Sequence, residues 1–317
     1  MVMPESRHVS RRVLAGATLA LVGGGFMLRE HGSQDAPAGA ASGAPSTTTP
    51  AVATPTPSPT PTIPKVDTVA LTTELDAYRA KRGGVQGLAV RDLRNLQTFE
   101  WQPFTNETLS TIKVLILVSV LRKCHETGEA LTEQQHTSAR RMIQRSDNVA
   151  TDSLLEWVGT EHVAESAQLL GLTNTTVRGG GAAGTANWWG YSTTNPGDWV
   201  TLLGAVHAAP ITRTTAGRPI IDDGDRYYIR DLMSGVISSQ RWGVADRPLP
   251  GEVSAETKNG WGPMADGYRL NSIGHVFGDR RDYHMAILTR SPRGFAYGRE
   301  TINGLARIVH KALVHEL

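Results

Sequence analysis

The run Val114-Leu-Ile-Leu-Val-Ser-Val-Leu121 constrains the fold more than any other feature. Its apolar residues point to every side of a helix, so such a helix must be wrapped all round by other elements. A bilayer would also wrap it, but a spanning helix takes about 20 apolar residues and this run is far shorter. The chain therefore needs a domain thick enough to enclose a central helix.

The first 64 residues cannot supply that domain. Eight of the 17 prolines fall between Pro37 and Pro64, and residues 34–64 are almost wholly Ala, Gly, Ser, Thr and Pro, with Asp35 as the only charge. Such a segment has too little apolar surface to offset the entropy of ordering, and its prolines favour an extended, semi-rigid linker. Ahead of it, Arg7, Arg11 and Arg12 precede the uncharged stretch from Val13 to Leu28, which reads as an export signal over residues 1–33. The string Ser10-Arg11-Arg12-Val13-Leu14 resembles the twin-arginine export motif of bacteria. A retained membrane anchor is the alternative, but the stretch is short and broken by Gly23-Gly24-Gly25. The expected location is outside the cytoplasm or in the cell envelope, with the linker available for tethering to a membrane or cell wall.

Residues 65–317 remain as one domain of 253 residues. The whole chain carries a formal charge of only +2, which gives no support to nucleic-acid binding. The lone Cys124 rules out a disulfide framework and reads as an ordinary helix residue. The ten histidines show no metal-ligand spacing, so no metal or other cofactor is expected. A monomer is the expected state.

Periodicity predicts helices over Thr72 to Arg82, Thr132 to Arg145, Val149 to Trp157 and Arg299 to Glu316. Strands are expected at Val85 to Asp92, Gln97 to Trp101, Val253 to Thr257, Leu270 to Phe277 and Tyr283 to Arg290. Helices in the middle and strands at both ends give an α+β fold, in which N- and C-terminal strands share one antiparallel sheet flanked by helices.

Three short segments carry candidate chemistry. In Ser110-Thr-Ile-Lys113 a helical turn would bring the hydroxyl and the amine to one face, where a partly desolvated lysine can take the serine proton. A Ser-x-x-Lys occurs by chance about once in a chain of this size, so alone it decides nothing. Ser146-Asp147-Asn148 lies between two helices, and each of its residues is also a common N-cap. Lys258-Asn259-Gly260-Trp261 follows an expected strand, where glycine would admit a substrate backbone and lysine would attract a carboxylate.

Taken in order, Ser-x-x-Lys, Ser-Asp-Asn and Lys-x-Gly form a pattern that resembles class A β-lactamases and penicillin-binding proteins. Gly171-Leu172-Thr173 and Thr193-Thr194-Asn195-Pro196-Gly197-Asp198 are similar to further class A segments, so the resemblance spans residues 65–317. It implies the β-lactamase and D,D-peptidase-like fold, with an all-helical subdomain beside the sheet. The implied activity is that of a serine hydrolase acting on β-lactams or on D-Ala-D-Ala-type cell-wall peptides. By the same resemblance Ser110 is the acylated nucleophile, Lys113 its proton acceptor, Ser146 a proton relay and Lys258 the electrostatic partner of that relay and of the substrate carboxylate. Asn148 would hold the substrate amide, the N–H groups of Ser110 and Trp261 would form the oxyanion hole, and Asp147 would be structural. Asn259 and Gly260 complete the substrate edge, and Arg269 could meet a substrate carboxylate unless an acid such as Asp266 or Asp282 takes it.

The sequence departs from the family pattern in three places. Asn259 stands where a hydroxyl residue is usual, although an amide can also donate to a carboxylate. The spacing from Ser110 to Ser146 is shorter than in class A enzymes, which would open one wall of the cleft. The third concerns the loop glutamate that activates the deacylating water. The matching stretch, residues 177–190, contains no carboxylate, and Glu156, Glu161, Glu165 and Asp198 fit helix faces or a helix start instead. The expectation is acylation with slow or differently assisted deacylation; the other possibility is a module that binds penicillin or cell-wall peptide without turnover.

Overall fold

The computed structural model describes residues 63–207, 219–246, 249 and 252–314. The expected export signal and all but the end of the linker lie outside these residues. Helix α1 (Thr68–Arg79) leads into strands β1 (Val85–Asp92), β2 (Thr98–Trp101) and the short β3 (Asn106–Glu107). One 3-10 turn, Leu109–Ile112, opens helix α2 (Lys113–Thr127), and α3 (Glu133–Gln144), α4 (Asn148–Val158) and α5 (Thr160–Leu169) follow. After the short β4 (Thr193–Thr194) come α6 (Pro196–His207) and α7 (Asp223–Ser234), then the long strands β5 (Ser254–Met264), β6 (Gly267–Gly278) and β7 (Arg281–Ser291). Helix α8 (Gly294–Ala312) closes the domain.

The five main strands form one antiparallel sheet in the order β2-β1-β7-β6-β5. Strands from the early and late parts of the described domain meet in its middle, where Val85 pairs with Arg290 and Asp92 with Tyr283. Side chains alternate along β7: Met285 and Ile287 join a core with Leu71 and Leu75 of α1 and Ile302, Leu305 and Val309 of α8. Ala286 and Leu288 face the opposite way, into a core dominated by α2 and the other central helices. The sheet is thus covered on both faces, and the fold is α+β as the sequence implies.

Helix α2 fulfils the requirement set by its composition, because Lys113 to Arg122 are buried without a break. It stops at Gly128, whose φ of 75° suits a residue without Cβ. Helix α1 starts four residues earlier than periodicity suggests, since the Asp67 carboxylate accepts from the Val69 and Ala70 N–H groups and caps it there. Helix α8 likewise starts at Gly294 rather than Arg299. The largest difference concerns β5, which runs on to Met264, so Lys258 to Trp261 lie inside a strand and not after one. Because β5 is the outer strand of the sheet, one of its edges is left for other partners.

Candidate active site

Ser110 lies on the 3-10 turn and Lys113 is the first residue of α2, so the two motif residues straddle the junction of turn and helix. The turn is fixed by Thr111, whose hydroxyl donates to Thr108 O and whose oxygen accepts from Trp199 Nε1. Leu109, just before the serine, has a φ of 47°, an uncommon conformation for a bulky residue that the surrounding packing must hold in place. Ser110 is half-buried, and among the described residues its Oγ has no hydrogen-bond partner.

The glycine of the third motif packs against this turn. A Cβ on Gly260 would fall 2.7 Å from Ser110 N and 2.9 Å from Thr108 O. The missing Cβ therefore admits the chain's own turn, a neighbour the sequence does not suggest. This contact brings the N–H of Ser110 beside the segment that carries the N–H of Trp261, the two donors expected for an oxyanion hole.

Lys113, Ser146, Asn148 and Lys258 meet in one hydrogen-bonded cluster. Lys113 Nζ lies 2.7 Å from Ser146 O, 2.8 Å from Asn148 Oδ1 and 3.3 Å from Ser146 Oγ. Lys258 Nζ donates to Ser146 Oγ and to its neighbour's carbonyl, Asn259 O, both at 3.0 Å. Ser146 is held in the left-handed region, φ 58°, in the break between α3 and α4. Asp147 serves that break as the N-cap of α4, accepting from Ala150 N and pairing with Arg141, so it is structural as expected.

Burial sets the protonation of the two lysines. Both are fully buried, which disfavours the ammonium form. Lys258 is pushed down to about 7 by desolvation. Lys113 is pushed well below the usual lysine value, first by desolvation and then by the charge of Lys258, against a smaller opposing pull from Asp147 and Asp152. A neutral Lys113 has two N–H bonds and one lone pair. Its two short contacts, to Ser146 O and Asn148 Oδ1, use both hydrogens and leave the lone pair to accept a proton.

Two residues expected at the substrate edge are engaged elsewhere. Asn259 is fully buried, and its Nδ2 donates to Gln240 O at 2.7 Å and Trp242 O at 3.0 Å. The amide hydrogens expected for a carboxylate are spent on pinning β5 to the segment before it. Arg269 is buried between Glu107, 2.7 Å, and Asp266, 2.8 Å, so acids of the chain itself neutralise it. Asp282 pairs instead with His275.

Trp189 and Asp152 adjoin the lysine cluster and lie outside all three motifs. Trp189 is 2% exposed, lies with its ring 4.8 Å from Lys113 Nζ, and donates from Nε1 to Asp152 Oδ1 at 2.7 Å. Aromatic residues among glycines fit a cleft rim or a loop anchor equally well, and the structure shows an anchor. Asp152 was legible in principle, since it lies four positions after Asn148 on the same helix face. The acids near the expected deacylation loop are held on helices: Glu165 pairs with Arg122, and Asp198 accepts from Asn174 N and Thr175 Oγ1.

Comparison with known proteins agrees with this arrangement. A model of the "Beta-lactamase enzyme family" matches residues 135–313, more than half of the chain. The match includes Ser146 and Lys258 and begins beyond Ser110 and Lys113. No curated protein matches by sequence. Among solved structures, the TLA-1 extended-spectrum β-lactamase is similar with a TM-score of 0.67 at 17% identity, covering 78% of this chain and 99% of that one. A class A β-lactamase from Bacteroides cellulosilyticus gives 0.65 at 18% identity, covering 79% and 99%. That from Mycobacterium abscessus gives 0.62 at 18%, covering 76% and 98%. At these identities the likeness is one of fold.

Proposed function

The chain belongs to the beta-lactamase enzyme family, and on that premise we propose that it is an exported serine hydrolase acylated at Ser110 by β-lactams or D-Ala-D-Ala-type peptides. The observation that carries this reading is the convergence of Lys113 and Lys258 on Ser146 Oγ, with Lys113 favoured neutral. In acylation the lone pair of Lys113 takes the proton of Ser110 as Oγ attacks the carbonyl carbon. The N–H groups of Ser110 and Trp261 receive the oxyanion, where one such donor is typically worth about 100- to 1000-fold in rate. The proton then passes through Ser146, held between the two lysines, to the leaving nitrogen. Lys258 in its protonated form attracts the substrate carboxylate, while the Asn259 amide hydrogens are spent within the chain and the Arg269 charge is offset by Glu107 and Asp266.

Deacylation is slow in this account, because residues 177–190 contribute a buried tryptophan against Lys113 where the class A pattern has a glutamate. A long-lived acyl-enzyme also makes the protein a penicillin-binding module on short timescales. Steady-state hydrolysis of a chromogenic cephalosporin tests this part: a pre-steady-state burst followed by slow turnover is expected, and rapid turnover without a burst contradicts it. Acylation itself is tested by the mass of the protein after exposure to a penicillin, with one ligand mass expected on Ser110 and none on Ser110→Ala. Export rests on Arg11-Arg12 and the apolar stretch after them, and tethering on the linker at 34–64.

A further inference from the structure

Two residues before Lys258 on the same face of β5, Glu256 enters a second buried polar group that has no part in the chemistry above. Glu256 pairs across β6 and β7 with His275 and then His284, and His207 at the end of α6 closes over them. The three histidines offer ring nitrogens within 4.8 Å of one another. Ring centroids of His207 lie 4.2 Å from His275 and 4.6 Å from His284.

The hydrogen-bonding needs of this group do not close with protein atoms. His207 faces an acceptor at each nitrogen, with Leu203 O 2.8 Å from Nδ1 and Glu256 Oε2 2.6 Å from Nε2. At His275, Nε2 lies 2.7 Å from Asp282 Oδ1, while Nδ1 has no hydrogen-bond partner and the same Glu256 oxygen stands 3.5 Å from it. A neutral imidazole has one N–H and can serve only one of two acceptors. Two imidazolium rings would serve all of them, at the cost of packing two buried cations side by side. His284 is 1% exposed, and neither of its ring nitrogens has a hydrogen-bond partner. A cation among the three rings would take the second nitrogen of His207 and of His275 and one of the two unpartnered nitrogens of His284.

We propose that His207, His275 and His284 bind a divalent transition-metal ion of the zinc class, through His207 Nε2, His275 Nδ1 and one nitrogen of His284. The remaining nitrogens of His207 and His275 already face a backbone carbonyl and a carboxylate, the outer contacts that fix a ligating tautomer. Three imidazoles select zinc and its neighbours over hard ions such as calcium or magnesium. Glu256, held by Arg230 at 3.1 Å, offsets part of the ion's charge. Zinc–nitrogen bonds of about 2.1 Å at tetrahedral angles place ligand nitrogens roughly 3.4 Å apart, so each ring has to move by less than about 1 Å. The ion would rivet the end of α6 to β6 and β7 behind the lysine cluster. Sequence spacing conceals the site because its ligands come from three separate elements.

The test uses the full chain, freed of metal with a chelator and titrated with Zn²⁺ alone and with Co²⁺ alone. Native mass spectrometry is expected to show one ion per chain, with visible Co²⁺ absorption of the tetrahedral type and a raised Tm. His284→Gln and His207→Gln, checked for folding by circular dichroism, are expected to lose the absorption and the Tm rise. X-ray absorption of the Co²⁺-loaded wild type counts imidazole ligands without any variant, and three are expected. Absence of uptake by the wild type, fewer than three imidazoles, or full uptake by both folded variants would overturn the proposal. The last of these would move the ion to another group such as His125, Asp222 and Asp225.

Discussion

Two buried polar groups lie along the sheet face that packs against α2 and the other central helices, and they differ in how the chain encodes them. The lysine cluster is assembled from compact motifs, Ser110 to Lys113, Ser146 to Asn148 and Lys258 to Trp261, each a turn or a stretch of strand that sets local geometry as well as chemistry. The histidine cluster takes one residue each from α6, β6 and β7 and has no local pattern at all. The proposed chemistry needs fixed backbone donors, and Leu109 and Ser146 hold uncommon turn conformations beside them, so sequence neighbours are recruited together. Side chains that meet only across a core carry no such constraint, and register alone brings them together.

The largest effect separating the two groups is expected from Lys113→Met, which should lower the acylation rate by at least about 100-fold by removing the proton acceptor. Stopped-flow acylation with a reporter β-lactam measures it, and a change below tenfold would point to a different base. Gly260→Val should come next. Its side chain would collide with backbone atoms at Ser110 and Thr108, with a cost of about 1–3 kcal/mol in denaturant unfolding and a matching loss of acylation.

Lys258→Met should separate stability from activity. Folded Lys258 titrates at about 7, below an unfolded lysine, so the unfolded state binds more protons between about pH 7 and pH 10. Stability of the wild type therefore rises with pH through that window, and the penalty for burying the ammonium is full below it. The variant should be more stable than wild type by about 1–3 kcal/mol at pH 7, a gain that fades toward pH 10, while acylation falls. Equal stability at both pH values would contradict the assignment. In the wild type, acylation by a carboxylate-bearing β-lactam should decline as pH rises through about 7, where Lys258 loses its charge.

The smallest effect on chemistry is expected from Asn259→Leu. It leaves Gln240 O and Trp242 O without their donor, at a cost of about 1–3 kcal/mol in stability, but should leave the KM for a carboxylate-bearing substrate within about twofold. A large rise in KM would restore the role that the motif suggests.

Much of the fold was legible because periodicity and motif agree. The uninterrupted apolar run forms the buried α2, and Val85 to Asp92 is a strand with the expected bounds. The start of α1 is not legible in the apolar spacing, because one capping carboxylate, Asp67, decides it. In the site, the motif residues Lys113, Ser146, Asn148 and Lys258 do meet. Asn259 and Arg269 show the limit: a residue type suited to binding carboxylate says nothing about whether the chain's own carbonyls or acids have already claimed it. At Gly260 the missing Cβ is legible in the sequence, but the neighbour that requires it, the turn at Thr108 to Thr111, comes from a distant segment.

The central claim is that Ser110 is an activated nucleophile beside a neutral Lys113. Intact-protein and peptide mass spectrometry after incubation with a penicillin at pH 7 tests it most directly. The account predicts one ligand mass per chain, located on Ser110, persisting for minutes and absent from Ser110→Ala. An unmodified wild-type protein at every pH tried, or an adduct on any other residue, would contradict it.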